Sequence, residues 1–226
     1  MAARNPNSSS TSICSFAILV LLTVGCGEEP AGPTVNEFGS KPTNQPYRVE
    51  FKDDVSSNTE VPDGVADLVF VDTEGNEVAM ADYVGSKNIV LVFTQGFAGG
   101  MLCPFCKTQT SRLVANYDKF AALNAEVLVV YPGARDHLEE FITAAKTHEK
   151  KEVDKVPFPL LLDEKLTAVN FFNIASNLAH PSTFIIDTNG DVKLAYVGAD
   201  MSADRPSVAA ILKTLTEAQP KDAAAE

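Results

Sequence analysis

The sequence has no tryptophan, only three histidines and four cysteines, and far fewer basic than acidic residues, 18 against 30. A formal charge of −12 excludes nucleic acid as an expected partner, because a phosphate backbone calls for a basic face. No run of lysine and arginine offers a local exception. There is no internal repeat and no coiled-coil heptad. There is no second C-x-x-C, so the four ligands of a closed structural zinc site are lacking. The N-terminal apolar stretch, Phe16 to Val24 (FAILVLLTV), is nine residues long and too short to span a bilayer.

What is present suits a packed core. Hydrophobic residues make up 45% of 226 residues and the mean hydropathy is +0.01, which fits one domain with extensions or two small ones. The polar start with Arg4, then Phe16 to Val24, matches a signal peptide. It ends in Thr23-Val24-Gly25-Cys26, small residues before a cysteine, which resembles a bacterial lipobox, with Thr23 in place of the usual leucine. The expectation is a signal over residues 1–25 and lipidation of Cys26. That would anchor the protein extracytoplasmically, facing the periplasm, where disulfides persist. Cleavage would remove Cys14 and lipidation would block Cys26, leaving Cys103 and Cys106 as the free pair.

Residues 26–61 are rich in Pro, Asn, Ser, Glu and Gly and read as a flexible tether. A globular domain is expected over 62–219 and a disordered tail over 220–226. Within the domain, Leu68 to Val71 and Val78 flank Glu74-Gly75-Asn76 as a hairpin. Asn88 to Thr94 (NIVLVFT) and Glu126 to Tyr131 (EVLVVY) are unbroken apolar runs, as expected of central strands covered on both faces. The spacing predicts helices from Cys103 to about Leu123, Asp136 to His148, Glu164 to Phe172 and Ser207 to Ala218. Phe158 to Leu162 reads as a short strand. Phe184 to Asp187, Asn189-Gly190 and Val192 to Val197 form a second hairpin. The fold class is α/β, a central mixed sheet with helices on both faces.

Cys103-Pro104-Phe105-Cys106 falls between a buried strand and a helix. At a helix N-terminus the orphan N–H groups and the dipole favour an anion, which lowers a thiol pKa. Pro104 suits the first turn. An exposed attacking sulfur, Cys103, and a shielded resolving sulfur, Cys106, suit thiol–disulfide exchange. A permanent disulfide would close so small a loop that it adds little stability. Ala179-His180-Pro181-Ser182-Thr183 precedes a strand, where proline is well placed. The glycine-rich loop Gly96 to Met101 reads as flexible, with Phe97 and Met101 offering apolar contact to a partner or capping the core. No acidic residue in strand Ile89 to Thr94 could carry a proton to the dithiol, so proton delivery is unassigned.

Val90 to Leu113 with Cys-Pro-Phe-Cys, Pro181 to Asp187, Tyr196-Val197-Gly198 and Asp204-Arg205-Pro206-Ser207 together resemble the redoxin superfamily. The likeness is strongest to peroxiredoxin-like proteins of the alkyl hydroperoxide reductase/thiol-specific antioxidant family. It implies a thioredoxin fold over about Pro62 to Ala218, with Pro181 and its neighbour His180 presented to a bound disulfide. The sequence departs from a true peroxiredoxin in its Pro-x-x-x-Thr-x-x-Cys motif, where Gly96 and Gly100 replace the proline and threonine. The arginine expected before the later Thr-Phe is Pro181. The expected activity is therefore thiol–disulfide exchange with disulfide-bearing or thiol partner proteins and no cofactor. The alternatives are peroxide reduction, or Cu(I) delivery by Cys103, Cys106 and His180. Nearer surface placement is expected for His137 and His148.

Overall fold

A computed structural model describes residues 51–148, 151–199 and 204–219, with Lys151 described in its backbone alone. The signal, Cys26, the tether to residue 50 and the tail 220–226 lie outside the described residues.

In chain order the strands and helices are β1 (Val69–Asp72), β2 (Glu77–Ala79), β3 (Asn88–Phe93), β4 (Phe97–Ala98), β5 (Met101–Leu102), α1 (Pro104–Ala115), α2 (Tyr117–Ala121), β6 (Ala125–Pro132), α3 (Leu138–Ala145), β7 (Thr147–His148), β8 (Lys151–Glu152), β9 (Leu160–Asp163), α4 (Thr167–Phe171), β10 (Ser182–Ile186), β11 (Val192–Val197) and α5 (Val208–Ala218). Seven strands form one sheet in the order β11-β10-β3-β6-β9-β1-β2. The β3–β6 and β6–β9 pairs are parallel and the rest antiparallel, so the sheet is mixed as expected.

Period-two alternation explains why the central strands read as unbroken apolar runs. Val90 and Val92 of β3, Val127, Val129 and Tyr131 of β6, and Ile185 of β10 point to one face, packed with Leu113, Phe141, Ile211 and Leu215 from α1, α3 and α5. Ile89, Leu91, Phe93, Leu128, Val130, Phe184 and Ile186 point to the other, packed with Met80, Val169 and Phe172 around α4. Both layers are needed to bury such strands.

Three sequence expectations shift. The helix expected to run unbroken to Leu123 breaks at Asn116, whose side-chain amide donates to the Arg112 carbonyl at 2.9 Å and replaces a backbone donor there. The helix expected through His148 ends at Ala145, and Thr147–His148 turns into a short hairpin with Lys151–Glu152. Residues 51–61, assigned to the tether, lie on the domain instead. Lys52 bridges across Pro206, and Ser57 and Asn58 hydrogen-bond along β11. This strap is held by backbone and polar side-chain bonds, with Val55 and Val61 packed against the core, and two isolated valines leave little trace in an apolar pattern.

Candidate active site

The dithiol stands at the C-terminal end of the central sheet. Just past β3, the Gln95 N–H donates to Cys106 Sγ at 3.2 Å. Cys103 is the N-cap of α1, with Pro104 as the first helical residue. Its sulfur accepts from the Cys106 N–H at 3.3 Å, satisfying one of the orphan donors of the first turn. β10 runs antiparallel beside β3 with Ser182 opposite Phe93, which brings Pro181 to the same end of the sheet.

Both cysteines are free thiols and both are buried, Cys103 5% exposed and Cys106 wholly enclosed. The attacking sulfur is thus less open than expected, because the loop before it is ordered. β4 and β5 pair across Gly99-Gly100, both at positive φ, the requirement of a tight two-residue hairpin. Gly96, in the place of the peroxiredoxin proline, has φ +70, which a proline ring forbids, and a Cβ there would lie 2.8 Å from the Pro132 carbonyl. Gly100, in the place of the threonine, has φ +80, which a β-branched residue resists. Those two departures are requirements of this hairpin.

The hairpin also changes what Phe97 does. Its ring stacks on His137, centroids 3.6 Å apart and planes within 13°, so one ring face is already covered. His137 is half-buried in this stack rather than free on the surface. Met101 remains 44% exposed beside the dithiol. His180 is half-buried, with its backbone N–H bonded to the Ile174 carbonyl.

Sequence reasoning missed Arg205. The residue is 1% exposed, and its Nη2 lies 3.5 Å from Cys103 Sγ and 3.4 Å from Cys106 Sγ. The same group sits over the Phe105 ring at 5.6 Å. An arginine thus serves the site although the position before the later Thr-Phe holds Pro181. The charge arrives from the segment after β11 instead of from the position of Pro181. The Asp204-Arg205-Pro206-Ser207 string was visible, but the chain fold that turns it inward was not. A cation faces both sulfurs, and among the described residues no three His, Cys, Asp or Glu side chains converge on a metal position.

The electrostatics separate the two thiols. Cys103 is lowered from the ordinary thiol value to about 6, first by the hydrogen bond from Cys106, against its burial, then by the Arg205 charge and the N–H groups of the first turn. Cys106 is pushed up by complete burial, and further by its hydrogen bond to Cys103 and that neighbour's charge. The pair thus favours one thiolate, at Cys103, and one thiol, at Cys106, sharing a guanidinium. The Tyr131 hydroxyl is buried in the same core layer, with no hydrogen-bond partner among the described residues.

Comparison with known proteins agrees with this architecture. The AhpC/TSA family pattern matches residues 58–195. The thiol-disulfide oxidoreductase ResA of Geobacillus kaustophilus is 28% identical over 138 residues, 61% of this chain and 70% of that protein. Alkyl hydroperoxide reductase C of Staphylococcus epidermidis is 28% identical over 130 residues, 56% of this chain and 64% of that relative, just under two thirds of its length. The solved structure of peroxidoxin BcpB from Mycobacterium tuberculosis shares the fold, with a TM-score of 0.55 at 20% identity, over 72% of this chain and 100% of that one.

Proposed function

Because the chain belongs to the AhpC/TSA family, we propose that this oxidoreductase is a thiol–disulfide exchange enzyme in which Cys103 attacks and Cys106 resolves. The observation that supports it most is the asymmetry of the reduced pair, a stabilised thiolate at a helix N-cap beside a buried thiol. In the forward step the Cys103 thiolate attacks one sulfur of a substrate disulfide, and the other substrate sulfur leaves as a thiolate that takes up a proton. Cys106 then loses its proton and attacks Cys103 of the mixed disulfide, releasing the second substrate thiol. Two electrons pass to the substrate, and the protein is left with a Cys103–Cys106 disulfide. Pro181, His180 and Met101 are the proposed contacts for the substrate chain, with Phe97 reaching it only if its stack on His137 opens. Thiol or disulfide-bearing proteins are the proposed partners.

The test is equilibration with glutathione redox buffers, with Cys103→Ser as control. A reversible two-electron couple between about −120 and −270 mV is expected, the span of known exchange catalysts. A pair that forms no disulfide, or one that cannot be reduced again, would sink the reading.

Arg205 favours a second reading, peroxide reduction. A guanidinium beside the thiolate could steady charge on the O–O bond as it breaks. Cys103 would take one oxygen as sulfenic acid and release water or an alcohol. Cys106 would then displace water and form the disulfide. Stoichiometric consumption of a hydroperoxide by the reduced protein separates the readings.

The proposed setting is extracytoplasmic, with Cys26 lipidated after removal of residues 1–25 and the chain to residue 50 as spacer. The Thr23-Val24-Gly25-Cys26 run supports it. Among the described residues no helix is long and apolar enough to cross a membrane. Incorporation of labelled palmitate, lost in Cys26→Ala, is the check.

A further inference from the structure

Arg205 lies outside the 58–195 match, and so does Lys52, the strap residue that meets it. The Lys52 N–H donates to the Arg205 carbonyl and the Ser207 N–H donates to the Lys52 carbonyl, both at 2.8 Å, so one strap residue clasps the chain on either side of Pro206. The Lys52 ammonium pairs with the buried carboxylate of Asp204, next to Arg205, and donates to Tyr196 Oη at 2.9 Å. Tyr196 Oη in turn donates to Asp204 Oδ1 at 2.6 Å, and the Ala199 N–H donates to Oδ2 at 2.6 Å. On either side, Phe51 lies under the Arg112 guanidinium at 4.9 Å and Asp53 accepts from Ser207 Oγ at 2.5 Å. Burial pushes the Asp204 carboxyl up, but the bonds from Lys52, Tyr196 and Ala199 outweigh it and hold it down at about 2.

We propose that Lys52 is a positioning residue for the dithiol: its ammonium grips Asp204 and its backbone clasps Arg205 and Ser207, and together these hold the Arg205 guanidinium against both sulfurs. The argument is geometric. A long charged side chain reaches two sulfurs on a helix N-terminus only if its own backbone is fixed. The segment carrying Arg205 has no strand or helix of its own from Asp204 to Ser207. On its C-terminal side Ser207 caps α5, and on the other the strap that clasps it is laced to β11 by Ser57 and Asn58. Lys52 itself never touches a sulfur. It acts through Arg205 on the site that the exchange reading uses.

The test is the rate of Cys103 alkylation by iodoacetamide against pH in the reduced full-length chain, since only the thiolate reacts. Lys52→Met is expected to move the midpoint upward and to slow alkylation several-fold at pH 6, while the plateau at high pH stays that of the wild type. Lys52→Arg is expected to restore the wild-type midpoint. Tyr196→Phe, which keeps the ring and removes one bond to Asp204, is expected to shift the midpoint less and in the same direction. It stands in for Lys52→Met should that variant not fold. An unchanged midpoint in folded Lys52→Met or in Tyr196→Phe overturns the proposal, as does a shift that Lys52→Arg fails to reverse. Alkylation needs no substrate disulfide. A shifted midpoint in a protein without exchange activity therefore sinks the exchange reading alone, and an active enzyme with an unmoved midpoint sinks this one alone.

Discussion

Strand β11 has a buried aspartate at each end, and the two are satisfied in different ways. Asp187 precedes the strand. It accepts from the N–H groups of Asn189 at 2.8 Å and Asp191 at 2.9 Å and pairs with Lys193 at 2.9 Å, so each of those partners lies within six residues. Asp204 follows the strand. Its partners are Ala199 nearby, Tyr196 on the strand, and Lys52 from the far side of the sequence. In both cases burial raises the carboxyl and the partners outweigh it. The difference is one of distance along the chain. A locally satisfied aspartate fixes a turn. One satisfied across the chain fixes the relation between segments, and at the Asp204 end the dithiol depends on that relation.

Glycine substitutions give the largest expected effects. A Cβ on Gly198 would lie 2.4 Å from the Asp204 carbonyl and 3.0 Å from Pro181 Cγ. Gly198→Ala is expected to destabilise by about 2–3 kcal/mol in urea titrations, the range of overpacking, and to slow Cys103 alkylation. At the other end Gly190 has φ +86 and only Val84 near its missing Cβ, at 3.9 Å. Gly190→Ala is expected to cost about 1 kcal/mol, from backbone strain, and to leave alkylation unchanged. Equal effects of both variants on the thiol would erase the distinction.

Neutralising the aspartates sharpens it. Asp187→Asn and Asp204→Asn are each expected to lose about 1–2 kcal/mol of stability as charge-assisted hydrogen bonds weaken. Only Asp204→Asn is expected to raise the pH midpoint of Cys103 alkylation. If Asp187→Asn raises it as well, the two ends are coupled through the strand.

A pH dependence of the reduced form is also expected. Cys103 is lowered in the folded state, so its contribution is fully present above the ordinary thiol range near 9 and is lost as the pH falls through about 6. Between those values the stability of the reduced protein is expected to rise with pH relative to Cys103→Ser, as read from urea midpoints. A flat difference would mean that the thiolate is not favoured by folding.

How far the sequence was legible follows the same division. The strands at Asn88 and Glu126, both hairpins and the dithiol at a helix start stand out because periodicity, Asn-Gly and Cys-Pro-x-Cys are local signals. The helix break at Asn116 has a local cause too, but apolar spacing passes over a side-chain amide that replaces one backbone donor. The strap was read as tether because Lys52, Ser57 and Asn58 bond through polar and backbone groups. Arg205 was passed over because its role depends on where a chain segment without regular structure turns. The glycines at 96 and 100 looked like missing catalytic residues, although positive φ accounts for both.

The clasp at Lys52 also imposes an order on biosynthesis. Lys52 and Tyr196 are separated by 144 positions, and Arg205 follows later still. A chain made from its N-terminus has its cysteines and their helix well before the segment that supplies the guanidinium. Until that segment emerges and closes on the strap, Cys103 has only its helix and Cys106 to favour the thiolate. The guanidinium thus reaches the two sulfurs only when both ends of the domain have met.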